Sequence, residues 1–144
     1  MPLFTLGYEG AAIDDVIARL KRARVDLVVD VRALPLSRKP GFSKTAFAKH
    51  LADAGIDYRH RVALGTPKPI RARYKSDHDF GALRAAFEKY LAHQEIALAE
   101  LVDLVKARCA CLVCFEADPE LCHRSIVADH ARKLGAPKAQ HLHP

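Results

Sequence analysis

The sequence predicts an α/β fold, a single three-layer domain over residues 1–144 with a mostly parallel central sheet of four to five strands flanked by helices. Short apolar runs alternate with segments of helical periodicity along the whole chain. The run from Leu27 to Val31 is compact and β-branched, as expected for a parallel strand buried on both faces. Strand and helix in alternation imply parallel pairing through right-handed crossovers.

The elements follow in chain order. Predicted strands cover residues 3–6, 27–31, 56–60, 109–115 and 140–142, and predicted helices cover residues 13–20, 44–54, 79–107 and 119–134. Ser43 is the expected N-cap of the second helix and Gly55 its stop. The apolar face drifts near residues 93–95, which indicates two helices or one kinked helix. Residues 64–76 contain two prolines, one glycine and no clear period, so the sequence predicts a loop there.

Positive charge is concentrated in the middle of the chain. Residues 31–76 hold eleven Lys and Arg against Asp53 and Asp57, an excess of +9, whereas the whole chain carries +6. Such a segment attracts anionic small molecules or nucleic acid, or it serves only as a solvated surface. The sequence leaves these readings open.

Hydropathy and cysteine usage predict a cytoplasmic protein without a membrane partner. No apolar run approaches the roughly 20 residues that span a bilayer, and the amino terminus lacks the features of a signal peptide. The four cysteines crowd between residues 109 and 122, which does not suit a disulfide framework and predicts reduced thiols. The sequence does not determine the oligomeric state.

The end of the fourth predicted strand carries the sharpest candidate chemistry. Asp118 and Pro119 resemble a helix start, which places Cys122 and His123 in the first turn. Free backbone N–H groups and the helix dipole favour a thiolate there. We therefore expect Cys122 and His123 to act as nucleophile or acid–base groups, unless Cys122 is a buried structural cysteine.

Two cysteine motifs are weaker than their spacing indicates. Cys111 and Cys114 have C-x-x-C spacing, but strand alternation sends their side chains to opposite faces. A zinc site has suitable ligand types nearby without any standard ligand spacing. Its candidates are Cys114, Glu116, Cys122 and His123, with His60 as a further one. The sequence assigns no metal and leaves the cofactor open.

Other candidates lie at the same predicted edge of the sheet. Asp30 or Glu116 would handle protons, and Arg32 and Arg38 would hold an anion, although Asp30 and Arg32 could instead form a structural pair. Gly7 would approach a phosphate or simply make a tight turn with Gly10. Basic residues interleave with two tyrosines from the third strand onward, and such a surface would contact phosphates and stack on bases. Its members are Tyr58, Arg59, His60, Arg61, Lys68, Arg71, Arg73, Tyr74 and Lys75, of which Tyr58 and His60 are the expected binding residues.

The ordered motifs resemble a known family. They are Thr5-Leu6-Gly7-Tyr8-Glu9-Gly10, Val29-Asp30-Val31-Arg32 with Pro35, Ser37 to Ser43, Tyr58-Arg59-His60 with Leu64-Gly65, Cys114-Phe115-Glu116 and Cys122-His123-Arg124. This set is similar to the bacterial and archaeal domain of unknown function 488. The resemblance implies a compact cytosolic α/β domain with a shared polar rim and no known reaction. Its recurring positions fall on Tyr8, Asp30, Arg32, Ser37, Tyr58, Glu116, Cys122, His123 and Arg124.

Three hypotheses for function follow. The first is a small enzyme that acts on an anionic substrate, either phosphorylated or a nucleic acid, at a rim formed by Asp30, Arg32, Glu116 and Cys122. The second is a non-catalytic nucleic-acid-binding module that uses the basic segment 31–76. The third is a metal-binding or thiol redox-sensing protein.

Overall fold

The computed structural model describes residues 1–144 and contains one five-stranded sheet. Its strands are β1 Leu3–Gly7, β2 Leu27–Asp30, β3 Asp57–His60, β4 Ala110–Cys114 and β5 Ala139–Leu142. They lie in the order β3-β2-β4-β1-β5, and every neighbouring pair is parallel. The predicted α/β class and parallel sheet are confirmed.

Five of the six helices flank the sheet in two layers. The six are α1 Ile13–Arg22, α2 Lys44–Asp53, α3 Lys68–Asp77, α4 Phe80–Leu91, α5 Glu95–Ala107 and α6 His123–Lys133. One apolar core packs α1 and α2 on one face of the sheet, and the other packs α4, α5 and α6 on the opposite face. The predicted break near residues 93–95 separates α4 from α5. No helix combines the length and the apolar character needed to cross a membrane.

Alternation along β4 divides its side chains between the two cores. Leu112 and Cys114 lie in the core of α4 to α6, whereas Cys111 and Val113 lie in the core of α1 and α2. The two cysteines of the C-x-x-C sequence therefore point to opposite faces, as the strand period predicts. Only Cys114 reaches the side on which α6 begins.

The loop predicted over residues 64–76 is wrong for most of its length, because helix α3 occupies Lys68–Asp77. Pro69 lies in its first turn, where the missing N–H of a proline costs no helical hydrogen bond. No residue of α3 is buried, so the helix shows no apolar period in the sequence. It packs on the outside of the molecule against α4.

The start of the last helix also differs from the prediction. Residues Pro119–Leu121 form a 3₁₀ turn, and Asp118 accepts a hydrogen bond from the Glu120 amide at its start. Cys122 then has extended backbone (φ −133°, ψ 138°) and is the N-cap residue of α6. The local cap signal thus belongs to the 3₁₀ turn, and the extended residue turns the Cys122 thiol into the core.

Candidate functional site

Polar side chains gather at the carboxyl end of the three central strands. Tyr8 follows β1, Asp30 ends β2, and Glu116 follows β4. Because these strands are neighbours in a parallel sheet, the residues after them meet at one edge. The structure divides them into two clusters with different internal bonding.

The first group, called here the paired cluster, consists of Asp30, Arg32, Tyr8 and Tyr58. Arg32 donates two side-chain hydrogen bonds to Asp30, Nε to Oδ1 (2.9 Å) and Nη2 to Oδ2 (2.7 Å). Its Nη1 donates to Tyr8 Oη (3.0 Å) and to the carbonyl oxygen of Phe42 (2.6 Å). Tyr58 Oη donates to the second carboxylate oxygen of Asp30. The buried charges therefore satisfy one another.

The titration behaviour of this cluster agrees with that pairing. Burial opposes the positive charge of Arg32, yet the hydrogen bonds and Coulomb attraction to Asp30 raise its pKa. Burial and the neighbouring carboxylate of Asp30 also raise the pKa of Tyr58. Arg32 is thus a fixed cation and Tyr58 a neutral donor at any ordinary pH.

The second group, called here the thiol cluster, consists of Cys114, Cys122, His123 and Glu116. Nδ1 of His123 lies 3.5 Å from Sγ of Cys114 and 4.0 Å from Sγ of Cys122. Glu116 Oε2 accepts hydrogen bonds from both thiols, at 3.6 Å from Cys114 and 3.2 Å from Cys122. Two thiols, an imidazole and a carboxylate thus converge on one place.

The ring of His123 is held in one orientation. Its Nε2 lies 2.7 Å from the carbonyl oxygen of Val31 and donates to it, since a carbonyl only accepts. Phe87 packs its ring against the imidazole edge-to-face. Nδ1 is therefore the unprotonated nitrogen of the neutral ring, and the Cys114 sulfur lies beside the ring, 3.9 Å from Nε2 as well.

Burial and mutual contact shift the pKa values in the thiol cluster. The hydrogen bond with Cys122 and burial raise the pKa of Cys114. Burial disfavours a Cys122 thiolate, but Cys114, His123 and Arg124 together lower the pKa of Cys122. Burial and the charge of Cys122 raise the pKa of Glu116 to about 7. Burial opposes protonation of His123, and contact with Cys122 nevertheless raises its pKa.

Arg124 and Gly7 fix the chain that carries Glu116. Arg124 is fully buried and donates to the carbonyl oxygens of Glu116 (2.5 Å) and Ala117 (3.4 Å) and to Thr5 Oγ1 (3.2 Å). A Cβ on Gly7 would lie 1.7 Å from the Glu116 carbonyl oxygen, so only glycine admits this close approach. Gly7 therefore has a packing role at this edge.

A cavity of about 420 Å³ opens above both clusters. Cys114, Glu116 and His123 contribute to its lining, together with Arg32. The opposite wall comes from α3 and the residue after it, with Arg71, Tyr74, Lys75 and His78. Three of the exposed large apolar side chains of the protein also line it, Leu34, Phe115 and Leu121. Its volume suits a small molecule.

The structure separates the site residues predicted from the sequence. Tyr8, Arg32, Glu116 and His123 line the cavity, whereas Asp30 lies beneath Arg32 and Cys122 lies behind Glu116. Ser37 accepts a hydrogen bond from the Lys39 amide, and His60 contacts the Arg32 carbonyl oxygen. The remaining predicted residues, Gly7, Arg38, Tyr58 and Arg124, do not contribute to the lining.

The sequence pattern includes the residues of the cationic wall among its basic candidates but places them in a loop, and it gives Cys114 too little weight. Arg71 and Lys75 lie four residues apart, which puts both on one helix face, but that signal is visible only once α3 is recognised as a helix. The sequence makes Cys114 a candidate zinc ligand and part of two motifs, but not one of the expected catalytic residues. The alternation that removes Cys111 from the site is the same signal that places Cys114 in it.

Comparison with known protein families gives one match. The model of the family described as "Domain of unknown function DUF488" matches residues 12–131 of the chain. The matched range includes both clusters except Tyr8 and also covers all of α3. No curated protein and no solved structure matches the chain.

Proposed function

The chain belongs to the DUF488 family, whose description names no reaction, and we propose from the site itself that it is an enzyme acting on a small anionic molecule bound in the cavity. Arg71 and Lys75 would hold the anion, and the thiol cluster at the opposite wall would be the reactive centre. The observation that carries the proposal is the meeting of unpaired cations and reactive side chains in one cavity.

The two α3 cations that line the cavity, Arg71 and Lys75, have no carboxylate partner. Neither Arg71 nor Lys75 forms an ion pair with a carboxylate. Nε of Arg71 is buried and has no hydrogen-bond partner. An orphaned buried donor costs about 1–3 kcal/mol, which an anionic ligand in the cavity would recover. Arg32 differs because Asp30, Tyr8 and Phe42 already engage its guanidinium.

The opposite wall supplies groups for proton transfer. Glu116 lines the cavity and accepts from both thiols, so its carboxylate is in place to take a proton from a bound molecule or to return one. Cys114 and His123 also reach the cavity. Cys122 is only 1% exposed and does not line it, so we assign Cys122 to positioning Glu116 and His123.

A binding titration tests the anion site without knowledge of the substrate. The probes are inorganic phosphate and a panel of phosphomonoesters and small carboxylates, titrated calorimetrically against the wild-type protein. We expect Arg71→Ala to weaken binding about tenfold or more, the effect of removing a charge-assisted hydrogen bond. Arg73→Ala is the matched control, because Arg73 lies on the same helix, pairs with Asp77 and does not line the cavity.

Turnover of the same panel tests the reactive centre. We expect Glu116→Gln to retain binding of the best anion and to lose its conversion. Equal affinity of the Arg71→Ala and wild-type proteins for every anion would overturn the assignment of the cationic wall. A single-stranded oligonucleotide bound in a strongly salt-dependent way, unaffected by Arg71→Ala and Glu116→Gln, would instead favour a nucleic-acid-binding module.

A further inference from the structure

We propose that Cys114, Cys122 and His123 bind one zinc ion, with the fourth coordination position open to the cavity beside Glu116. This inference goes beyond the proposed function, because it concerns what the thiol cluster holds and requires no substrate. It stands on four features of the cluster: the spacing of the ligand atoms, the orientation of the imidazole, the balance of charge, and access from the cavity.

The ligand atoms are spaced as a tetrahedral metal site requires. The two sulfurs and the nearest nitrogen of His123 all lie within 4.8 Å of one another. Typical zinc bonds of about 2.3 Å to sulfur and 2.0–2.1 Å to nitrogen give a sulfur–nitrogen separation of about 3.6 Å in a tetrahedral site. The observed separations to Nδ1 are 3.5 Å for Cys114 and 4.0 Å for Cys122. Small side-chain movements would therefore complete the site.

The imidazole is already in the state that a metal ligand needs. A zinc-bound histidine usually donates its second ring N–H to a carboxylate or a backbone carbonyl, which fixes the ring and its tautomer. Nε2 of His123 makes that bond to Val31. Nδ1 is left unprotonated and is the nearer ring nitrogen to the Cys114 sulfur. Rotation of the Cys114 side chain would bring that sulfur from beside the ring to the side of Nδ1 on which a metal would bind.

The charges of the cluster are balanced by a divalent cation. Cys114, Cys122 and His123 are 5%, 1% and 9% exposed, so water cannot stabilise ions there. Two thiols are weak hydrogen-bond donors, and here both are directed at one carboxylate oxygen. Zinc would replace the two thiol protons, and the two thiolates would neutralise its charge. Glu116 would keep its own carboxylate charge, and Arg124 donates to the backbone carbonyl oxygen of that residue.

Three protein ligands leave a zinc ion with one free position, as in catalytic sites, whereas structural sites use four. Cys114, His123 and Glu116 line the cavity, so the free position would face a molecule bound there. Zinc is the fitting metal because a site with two thiolates and one imidazole favours a borderline-soft ion over magnesium or calcium. Glu116 would accept the proton of a water bound at the open position.

Metal analysis of the purified protein tests the site directly. The protein is prepared without a histidine tag or chelating resin, and zinc is measured by mass spectrometry against protein concentration. We expect about one zinc per chain in the wild type. Cys114→Ser, Cys122→Ser and His123→Gln should each retain less than about a tenth of it, since each removes a ligand. Cys111→Ser is the matched control, because Cys111 is buried in the same strand but faces the other core.

A spectroscopic measurement on the wild-type protein tests the site even if the ligand variants fail to fold. Cobalt is exchanged into the wild-type protein after chelation, and circular dichroism confirms that the metal-free protein remains folded. Intense visible bands of tetrahedral cobalt, with a thiolate charge-transfer band, are expected in the wild type and in Cys111→Ser. Glu116→Gln should keep these bands with altered intensity, because Glu116 lies beside the metal and is not counted among its ligands.

Several outcomes would overturn the zinc site. The first is a wild-type protein that contains no zinc and gives no tetrahedral cobalt bands. The second is an equal zinc content in the wild type and all the variants. The third is a disulfide between Cys114 and Cys122 in freshly isolated protein, detected by mass spectrometry. Arg71→Ala separates this inference from the proposed function. This variant should keep its full zinc content while its affinity for phosphate falls. A negative result for the anion site would therefore leave the zinc site standing, and a negative result for zinc would leave the anion site standing.

Discussion

The paired cluster and the thiol cluster lie side by side at the carboxyl end of the sheet, and both are buried, but their internal bonding is opposite. Asp30 and Arg32 carry opposite charges and use their hydrogen-bonding groups on each other and on two tyrosines. In the thiol cluster, Cys114, Cys122 and Glu116 all become anions when they ionise, and no lysine or arginine side chain bonds to their thiol or carboxylate groups.

The difference shows how to read buried polar groups at a potential active site. An ion pair whose two partners neutralise each other needs no bound ligand, and it holds the surrounding chain in place. A set of groups that all become anions is costly to bury in the ionised form unless a cation joins it. On this basis we propose that Asp30 and Arg32 are positioning residues and that the thiol cluster is the place for a ligand.

Breaking the paired cluster should have the largest effect on stability. Asp30→Asn leaves the Arg32 cation buried without its counter-charge, and we expect it to lower the free energy of unfolding by about 3–5 kcal/mol. Urea denaturation followed by circular dichroism measures this. Asp53→Asn is the control, since the Lys49–Asp53 pair is exposed and should contribute about 0–1 kcal/mol. A loss for Asp30→Asn as small as the control would show that the pair is not structural.

Removing zinc should cause the second-largest loss in the free energy of unfolding, and only in proteins whose thiol cluster is intact. At a free zinc concentration 100 times the dissociation constant, binding stabilises the folded state by about 2.7 kcal/mol. We therefore expect a chelator to lower the urea midpoint of the wild type and of Tyr58→Phe, but not that of Cys122→Ser. A midpoint that is unchanged by chelation in the wild type would remove the contrast between the clusters.

The sequence predicts the framework better than the site, for a physical reason. The strands and core helices leave periodic apolar patterns, because each buries one or two faces. Helix α3 buries no residue, so it has no such pattern, and the cationic wall was assigned to a loop. Asp118 and Pro119 do form an N-terminal cap, as the sequence predicts, but they cap a 3₁₀ turn and not the helix α6. The bond from His123 to the Val31 carbonyl oxygen, which fixes the imidazole, depends on the pairing of β4 with β2, and spacing along the chain does not encode that pairing.

Tyr58→Phe should lower the free energy of unfolding by a smaller amount, and it should change only the paired cluster. The substitution removes one hydrogen bond to Asp30 and leaves the bonds from Arg32 to that carboxylate in place. We expect a loss of about 1 kcal/mol in the free energy of unfolding. Zinc content and phosphate affinity should equal those of the wild type. A loss of zinc in this variant would mean that the two clusters are coupled and not independent.

The smallest effect on the free energy of unfolding should come from His141, which lies on the thiol-cluster side of the molecule, and this effect should depend on pH. Burial and the nearby Arg124 cation lower the pKa of His141, whose Nδ1 hydrogen-bonds Thr5, the residue that also accepts from Arg124. Because the folded state disfavours the protonated ring, the contribution of His141 is fully present above its unfolded pKa of about 6.5 and is lost as the pH falls below it. Solvent screening limits the change to a few tenths of a kcal/mol.

Urea titrations between pH 7.5 and pH 5 measure this contribution as a difference between the wild type and His141→Gln. The gap in the free energy of unfolding should narrow toward acid, because the variant has no proton to gain at this position. Tyr58→Phe should show the same pH dependence as the wild type, because it changes only the paired cluster. If His141→Gln kept the wild-type slope, neither burial nor the Arg124 cation would lower the pKa of His141 in the folded state.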